Sequence, residues 1–195
     1  MADLLLASAS PRRRELLEQI GVHFICEAQD LDESVLTGES PLAYVERLAR
    51  AKAQAGAANT SLPVLGSDTC VVLGAEILSK PETQAQAKSM LASLSGCEHS
   101  VFTAVAIAKQ EASGMRVSSL VVETKVQFSA LSNAMIDQYV ATGEPMDKAG
   151  GYGIQGKAAV FVRHINGSYS NVVGLPLMET ASLLQQFNVP IWGEV

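Results

Sequence analysis

The sequence predicts a compact chain in which β-strands and α-helices are mixed. Hydrophobic residues make up 48% of the 195 residues and aromatic residues only 5%, which favours a core of aliphatic side chains and alanine. The apolar run Leu4–Leu6 is followed by a proline and a helical pattern, so the chain opens with a strand, a turn and a helix. Alternating apolar residues at 100–108 and 115–128 predict two long strands. The length suits one domain, or two small lobes that share a core.

The turn after the first strand is predicted to bind an anion. Ser10 is expected to cap the first helix with Pro11 as its first residue, because proline lacks the amide hydrogen that a helix start leaves unpaired. Unpaired backbone amides and the positive end of the helix dipole then face the same place. Three arginines occupy this first turn, where carboxylates are normally favoured: Arg12, Arg13 and Arg14. A bound phosphate would offset that cost; the alternative is a solvated basic face with Ser10 as a simple cap.

Charge and cysteine content limit the class of protein. A net charge of −6 argues against general binding to nucleic acid or to a membrane surface, so a polyanionic ligand must meet a local positive cluster or bring a metal ion. The short leucine run precedes its arginines, which is the wrong order for a signal peptide, and no apolar segment has the length of a membrane span. We interpret Cys26, Cys70 and Cys97 as reduced core thiols and expect a cytoplasmic protein.

Two carboxylates are candidates for chemistry. Asp68 follows a predicted strand at 62–65, and an aspartate at the end of a hydrophobic run is costly to bury unless it binds a metal or a donor. Gly66 would let the backbone approach a ligand closely. The alternative is a turn aspartate between two strands. Glu33 ends an acidic loop after a short strand at 22–26, where it either faces the anion site as a metal ligand or is simply solvated.

Two lysines and a glycine-rich segment complete the set of candidates. Lys52 lies on the flank of the inner face of a second helix, from Pro41 to about Ala58, where a lysine is normally a surface residue. Lys80 precedes the proline that begins a third helix at 81–94, so its backbone is held extended. The segment 144–156 contains four glycines and Gln155, which suits either a tight loop against the edge of a nucleobase or a glycine-rich hinge.

The rest of the chain is assigned to ordinary structure. Ser132 is expected to cap a fourth helix. Strands are predicted at 160–163 and through Val172–Val173, on either side of a turn, and a last helix at 176–187. The histidines have no metal-ligand spacing, and we interpret all of them as structural or exposed: His23, His99 and His164.

Seven motifs, in order along essentially the whole chain, resemble the Maf family of nucleoside triphosphate pyrophosphatases. They are LASASPRRRELL, the acidic loop ending in Glu33, LARAKA around Lys52, LGSDT around Asp68, LSKP around Lys80, EPMDKAGGYGIQG and INGSYSNVVGLPL. The resemblance implies one domain over residues 1–195 with an α/β fold similar to that of inosine triphosphate pyrophosphatases. In that fold an elongated mixed sheet and flanking helices form two lobes around a cleft.

The resemblance also implies the reaction and its residues. It implies metal-dependent hydrolysis of a nucleoside triphosphate to the monophosphate and diphosphate, which limits the incorporation of non-standard nucleotides. Asp68 would be the proton acceptor and, with Glu33, a ligand of a divalent cation such as Mg²⁺ or Mn²⁺. A carboxylate bound tightly to a metal is a poor base, so a base role for Asp68 with Glu33 as the main ligand stays open. The residues expected to bind the triphosphate are Ser8, Arg13, Lys52 and Lys80.

Three positions indicate the branch of the family. Arg12, Thr69 and Gln155 resemble the branch that acts on dTTP and UTP, whereas the branch acting on 7-methyl-GTP typically carries an aromatic residue, a glutamine and a glutamate there. The alternatives are a pyrophosphatase for modified nucleotides or 7-methyl-GTP, and a non-catalytic nucleotide sensor linked to cell division. A sensor need not retain both carboxylates beside the cationic set. We expect no nucleic-acid or membrane partner, and a homodimer is a further expectation from the resemblance.

Overall fold

The computed structural model describes residues 2–193, and this part of the chain contains seven strands and six α-helices. The strands are β1 Leu4–Leu6, β2 Phe24–Cys26, β3 Val64–Leu73, β4 Glu76–Leu78, β5 Glu98–Glu111, β6 Gly114–Phe128 and β7 Val162–Asn166. The helices are α1 Pro11–Gln19, α2 Pro41–Ala57, α3 Gln84–Leu94, α4 Asn133–Ala141, α5 Tyr169–Val173 and α6 Leu177–Gln186. Three short 3₁₀ helices lie at Glu144–Asp147, Ala149–Gly151 and Lys157–Phe161.

The strands form a mixed sheet, as predicted. Their order is β2-β1-β3-β5-β6-β7, with β4 paired to β3. β1 is parallel to both β2 and β3, whereas β4 is antiparallel to β3 and β7 is antiparallel to β6. A parallel pair needs a crossover connection, and α1 supplies it between β1 and β2. The α/β class with a mixed sheet and flanking helices is therefore confirmed.

The described residues divide into two compact units. Unit 1 contains residues 2–68, 103–122 and 174–193, and unit 2 contains residues 69–102 and 123–173. Strands β3, β5 and β6 have residues in both units. The core of unit 1 is aliphatic, as the composition predicts, and its largest fully buried side chains include Leu4, Leu17, Leu48 and Leu184.

Unit 2 adds an aromatic cluster to its aliphatic core. Phe128 is buried at its centre and meets Tyr152 and Phe161 edge-on, with ring centroids 4.8 Å and 6.0 Å away. His99 contacts the same ring at 4.9 Å. Edge-to-face packing brings the positive rim of one ring to the negative face of another, which stabilises such clusters beyond simple burial.

The strand predicted to end before Gly66 continues through it. β3 runs without a break from Val64 to Leu73, and Asp68 lies in its middle rather than in a turn. The glycine, serine and aspartate do not break the strand because burial on both sides, rather than propensity, decides strand formation here. The interpretation of Asp68 as a turn residue is therefore wrong.

Other boundaries differ from those predicted from the sequence. Helix α3 begins at Gln84 instead of Pro81, because the Thr83 hydroxyl accepts a hydrogen bond from the Gln86 amide and caps the helix there. Half of the segment at 160–163 is the end of a 3₁₀ helix, and β7 begins only at Val162. The predicted strand through Val172–Val173 is helix α5, whose start is fixed by the Ser168 hydroxyl accepting from the Asn171 amide.

The structure bears on two expectations from the sequence, those about membrane spans and about the cysteines. Within residues 2–193, every helix is too short or too polar to cross a membrane. All three cysteines lie in this described part of the chain and none forms a disulfide. Cys26 is exposed on β2 at the edge of the sheet, so its interpretation as a core thiol is wrong.

Candidate active site

The turn after β1 is organised by the hydroxyl of Ser8. Ser8 Oγ accepts hydrogen bonds from the Ser10 amide at 3.2 Å and from Arg13 Nη1 at 3.1 Å. Helix α1 begins at Pro11, as predicted, but among the described residues the Ser10 side chain forms no capping hydrogen bond. Ser8 therefore connects the turn after β1 to Arg13 in the first turn of α1.

Arg13 is fixed at a second point. Its Nε donates to the carbonyl oxygen of Gly174 at 2.9 Å, and the hydroxyl of Ser67, which is fully buried, donates to the same oxygen at 3.2 Å. Gly174 adopts a φ of +127°, which is accessible to glycine and strained for other residues. The guanidinium therefore lies between the turn after β1 and the segment that leads into α6.

Burial lowers the pKa of the Arg13 guanidinium from its ordinary value, and the neighbouring charge of Arg12 acts in the same direction. The carboxylates of Asp68 and Glu33 oppose this shift by attraction, and Asp68 is the stronger of the two. Arginine stays protonated at neutral pH after such a shift because its ordinary pKa is so high. Arg13 therefore provides a permanent positive charge near both carboxylates.

Lys52 joins the two candidate carboxylates. Its Nζ donates to Asp68 Oδ1 at 2.7 Å and forms an ion pair with Glu33 Oε1 at 2.5 Å. Lys52 and Asp68 are only 7% and 8% exposed, whereas the Glu33 side chain is about half exposed. Lys52 therefore differs from the usual surface lysine of a helix, because its charge is compensated by two carboxylates and can be buried.

Gly66 allows this contact to form. A Cβ atom at this position would lie 2.3 Å from the carbonyl oxygen of Ala49 and 2.6 Å from the amide nitrogen of Ala53, both on α2. Residues two apart in a strand face the same side, so Asp68 points toward α2 as Gly66 does. The close approach permitted by Gly66 therefore brings α2, and with it Lys52, against β3. The sequence analysis predicted that Gly66 lets the backbone approach a ligand, whereas its close neighbour in the structure is helix α2.

Glu33 and Asp68 supply the oxygen donors that a divalent cation would need. Mg²⁺ is usually held in proteins by one or two carboxylates, with water and substrate phosphates completing its shell. Over residues 2–193 there is no cluster of three or more acidic, histidine or cysteine side chains arranged to hold a metal. Glu33 and Asp68 therefore provide two carboxylates, the number that Mg²⁺ commonly takes from a protein.

The glycine-rich segment of unit 2 packs around Glu144. Its carboxylate accepts from the Tyr139 hydroxyl at 3.0 Å and from the Lys157 amide at 3.1 Å. A Cβ atom at Gly156 would lie 2.3 Å from this carboxylate, and one at Gly153 would lie 2.6 Å from Cε of Lys148. Burial and the Glu144 contact together raise the pKa of Tyr139. Tight packing therefore accounts for Gly153 and Gly156.

Comparison with known proteins identifies the family. A family model described as "Maf-like protein" matches residues 3–187. The chain belongs to the Maf family.

The chain is also similar to individual curated relatives and, more weakly, to a solved structure. It is 54% identical over 196 residues to a protein from Saccharophagus degradans named "dTTP/UTP pyrophosphatase", covering 98% of this chain and 91% of that protein. A protein of the same name from Shewanella oneidensis is 55% identical, with 96% and 99% covered. A solved structure titled "Structure of a HAM1 protein from Coxiella burnetii" matches at 19% identity and a TM-score of 0.48, covering 95% of this chain and all of that one.

The structure brings together five of the residues singled out in this Maf sequence, all of them in unit 1: Ser8, Arg13, Glu33, Lys52 and Asp68. Arg12 lies beside them on α1, half-buried. The other three belong to unit 2, where Thr69 is half-buried on β3 and Lys80 and Gln155 are exposed. Their roles in the Maf chain stay predictions.

Sequence reasoning missed Gly174, whose carbonyl binds Arg13, and Ser67, whose hydroxyl donates to the same carbonyl. Ser67 and Gly174 act through a hydroxyl and a main-chain carbonyl, which have no charge pattern to reveal them. Both lie inside quoted Maf motifs, LGSDT and NVVGLPL. The only sequence signal was therefore their position within motifs already connected to the site.

Proposed function

We propose that this chain is a divalent-metal-dependent pyrophosphatase that hydrolyses dTTP and UTP to the nucleoside monophosphate and diphosphate, and so limits the incorporation of non-standard nucleotides. The names of the two relatives above support this substrate class. The observation that carries the proposal is the ion-pair group Glu33–Lys52–Asp68, with Arg13 nearby. It combines cations that attract phosphate with a carboxylate that can accept a proton.

The net charge of this ion-pair group together with Arg13 supports a requirement for a metal. Arg13 and Lys52 carry two positive charges, and Glu33 and Asp68 carry two negative charges, so the four side chains sum to zero. A triphosphate would add several negative charges to this neutral set. A divalent cation held by Glu33 and Asp68 would neutralise part of the triphosphate charge when bound. The preference between Mg²⁺ and Mn²⁺ is part of the test below.

The chain's own residues would bind and orient the substrate. Arg13, anchored by Ser8 and Gly174, offers a guanidinium suited to paired phosphate oxygens. Lys52 is a compact charge that can turn from a carboxylate to a phosphate. Lys80 is proposed as a further phosphate ligand. A water oxygen bonds to phosphorus as the bond to the leaving diphosphate breaks, and Asp68 accepts the proton of that water.

We propose that base selection depends on Arg12, Thr69 and Gln155. A glutamine amide can donate to a carbonyl oxygen and accept from the N–H of a uracil or thymine ring, whereas a glutamate can only accept. The enzyme is proposed to act in the cytoplasm, which the disulfide-free cysteines support. A homodimer stays a prediction.

The proposal is tested with a panel of nucleoside triphosphates that includes dTTP, UTP, modified pyrimidine triphosphates and 7-methyl-GTP. Each is incubated with Mg²⁺, with Mn²⁺ and with a chelator, and both the monophosphate and the diphosphate are quantified. We expect equimolar products from dTTP and UTP only when metal is present. Asp68→Asn should fold normally and lose nearly all turnover.

Three results would contradict the proposal. If Asp68→Asn turned over substrate at the wild-type rate, Asp68 could not be the proton acceptor. Preference for 7-methyl-GTP would place the chain in the other branch. Nucleotide binding without release of diphosphate under any metal condition would instead support a non-catalytic sensor.

A further inference from the structure

The segment that carries Glu33 is attached to α2 through main-chain carbonyls. The Tyr44 hydroxyl donates to the carbonyl oxygen of Glu33 at 3.0 Å, and Arg47 Nη2 donates to that of Ser34 at 2.9 Å. Both donors come from α2, and they bind two consecutive carbonyls. They therefore fix the backbone directly at the residue whose side chain reaches Lys52.

Glu39 completes this clamp, which we define as Tyr44, Arg47 and Glu39. Arg47 Nε and Nη2 bind its two carboxylate oxygens at 2.6 Å and 2.8 Å, in the paired geometry that arginine and carboxylate favour. The hydrogen bonds to Arg47 lower the pKa of Glu39 to about 2, so the carboxylate is ionised at neutral pH. Glu39 Oε2 also accepts from the Leu36 amide at 3.1 Å, which ties the end of the segment to the same guanidinium.

The segment between β2 and α2 has an irregular backbone. Residues 27–40 contain no helix or strand within the described chain, and the side chains of Val35 and Leu36 are about half exposed. A segment without a buried apolar anchor depends on polar contacts for its position. Besides the clamp and the Glu33–Lys52 ion pair, its hydrogen bonds include short-range ones within the segment, where the Glu39 amide donates to the Leu36 carbonyl at 3.0 Å and the Ser34 amide to Asp32 Oδ1 at 2.9 Å. At its start the Glu27 amide donates to the Leu6 carbonyl at 3.0 Å.

Lys52 lies on the same helix as the clamp. Tyr44 precedes it by about two helical turns and Arg47 by less than two. Helix α2 therefore carries both the ammonium that receives the Glu33 carboxylate and the groups that fix the Glu33 backbone. A rigid helix makes the distance between those points constant.

We propose that Arg47 and Tyr44 are positioning residues that hold Glu33 against Lys52, and so assemble the Glu33–Lys52–Asp68 group. This inference rests on the proposed function for its effect on catalysis, but its structural content concerns only the contact between Glu33 and Lys52.

A direct readout is the side-chain Nζ signal of Lys52, measured by nuclear magnetic resonance on metal-free protein. We expect Arg47→Ala to shift this signal in the same direction as Glu33→Ala does, and Tyr44→Phe to shift it less. Amide exchange at Leu36 should become faster in Arg47→Ala. The matched control is Arg50→Ala, on the same helix, because Arg50 binds the Ser119 hydroxyl at 2.8 Å. The control should leave both readouts unchanged.

The catalytic consequence is tested by a double-mutant cycle with dTTP. Arg47→Ala should lower kcat by about tenfold or more, because misplacing a group at a reaction centre is costly. In the Glu33→Ala background the same substitution should cause little further loss, since the residue being positioned is gone. Arg50→Ala should retain the wild-type kcat in both backgrounds.

The outcomes are distinguishable. An unchanged Lys52 signal in Arg47→Ala would overturn the inference, whatever the kinetics show. The inference would also be overturned if the fold-loss of kcat in the double variant equalled the product of the two single-variant losses. That result would mean that Arg47 acts independently of Glu33. If the wild-type protein hydrolyses neither dTTP nor UTP, the proposed function fails, and the Lys52 signal still decides whether the clamp positions Glu33.

Discussion

Lys52 Nζ lies 2.7 Å from Asp68 Oδ1 in the interior of unit 1, and both side chains are almost completely buried. A second carboxylate, that of Glu33, approaches the same ammonium from the more exposed side. Such a group is held by mutual compensation, because each buried charge would be costly alone. Lys52 therefore connects the candidate site to the stability of unit 1, because its loss would leave the buried Asp68 carboxylate without its ammonium partner.

Replacing Lys52 with methionine should destabilise the protein by about 3 kcal/mol, because an unpaired carboxylate is left buried. The double variant Lys52→Met/Asp68→Asn should be more stable than Lys52→Met, since it removes both buried charges. Urea unfolding at pH 7 measures both. The control is Lys88→Met, whose partner Asp137 is exposed, and its effect should stay below about 1 kcal/mol. Equal effects at the two lysines would contradict the argument.

Adding one methyl group at Gly66 should displace α2 from β3. The new Cβ would overlap backbone atoms of Ala49 and Ala53, which cannot rotate away, so Gly66→Ala should cost at least about 2 kcal/mol and lower turnover. The control is Gly153→Ala, whose closest neighbour is the flexible end of Lys148. Thermal unfolding and dTTP turnover should show a clearly smaller loss for the control; a larger loss at Gly153 would be inconsistent with the packing.

Acid should weaken the fold through His99. This side chain is 2% exposed, its Nε2 lies 2.8 Å from the Tyr152 hydroxyl, and burial lowers its pKa to about 4. The unfolded chain takes up the proton near pH 6.5, so the free energy of unfolding should fall as the pH drops from 6.5 to 4. The loss from this residue is at most about 3 kcal/mol.

The variant His99→Gln isolates the contribution of His99 to the pH dependence of stability, because an amide can still bind the tyrosine hydroxyl but does not titrate. Its stability should depend less on pH over that window. His164→Gln is the control, since His164 is exposed on β7. Parallel pH profiles for His99→Gln and the wild type would show that another group is responsible.

Removing the Glu144 carboxylate should loosen the glycine-rich segment. Glu144→Ala removes the partners of the Tyr139 hydroxyl and the Lys157 amide, so we expect a loss of about 1 to 2 kcal/mol and faster amide exchange at Lys157. Glu98→Ala serves as the control, because Glu98 forms an exposed pair with Lys125. Unchanged exchange at Lys157 would show that other contacts hold the segment.

The sequence alone determined the elements whose signals are local. The strand Leu4–Leu6, the helix start at Pro11 and the helix α2 were all predictable, because apolar periodicity and turn chemistry act over a few neighbouring residues. The motifs also identified the family and the candidate residues. Where local signals competed, as at Pro81 against Thr83, the prediction placed the helix start three residues too early.

Only the tertiary structure decided which residues meet. Lys52 has the sequence context of a surface lysine, and Gly66 that of a strand end. Their true environments arise because α2 packs closely on β3 and brings an ammonium to a carboxylate 16 residues away. The same holds for Arg13 and the carbonyl of Gly174, which are 161 residues apart. Burial and pairing between distant segments depend on packing, and no local pattern encodes them.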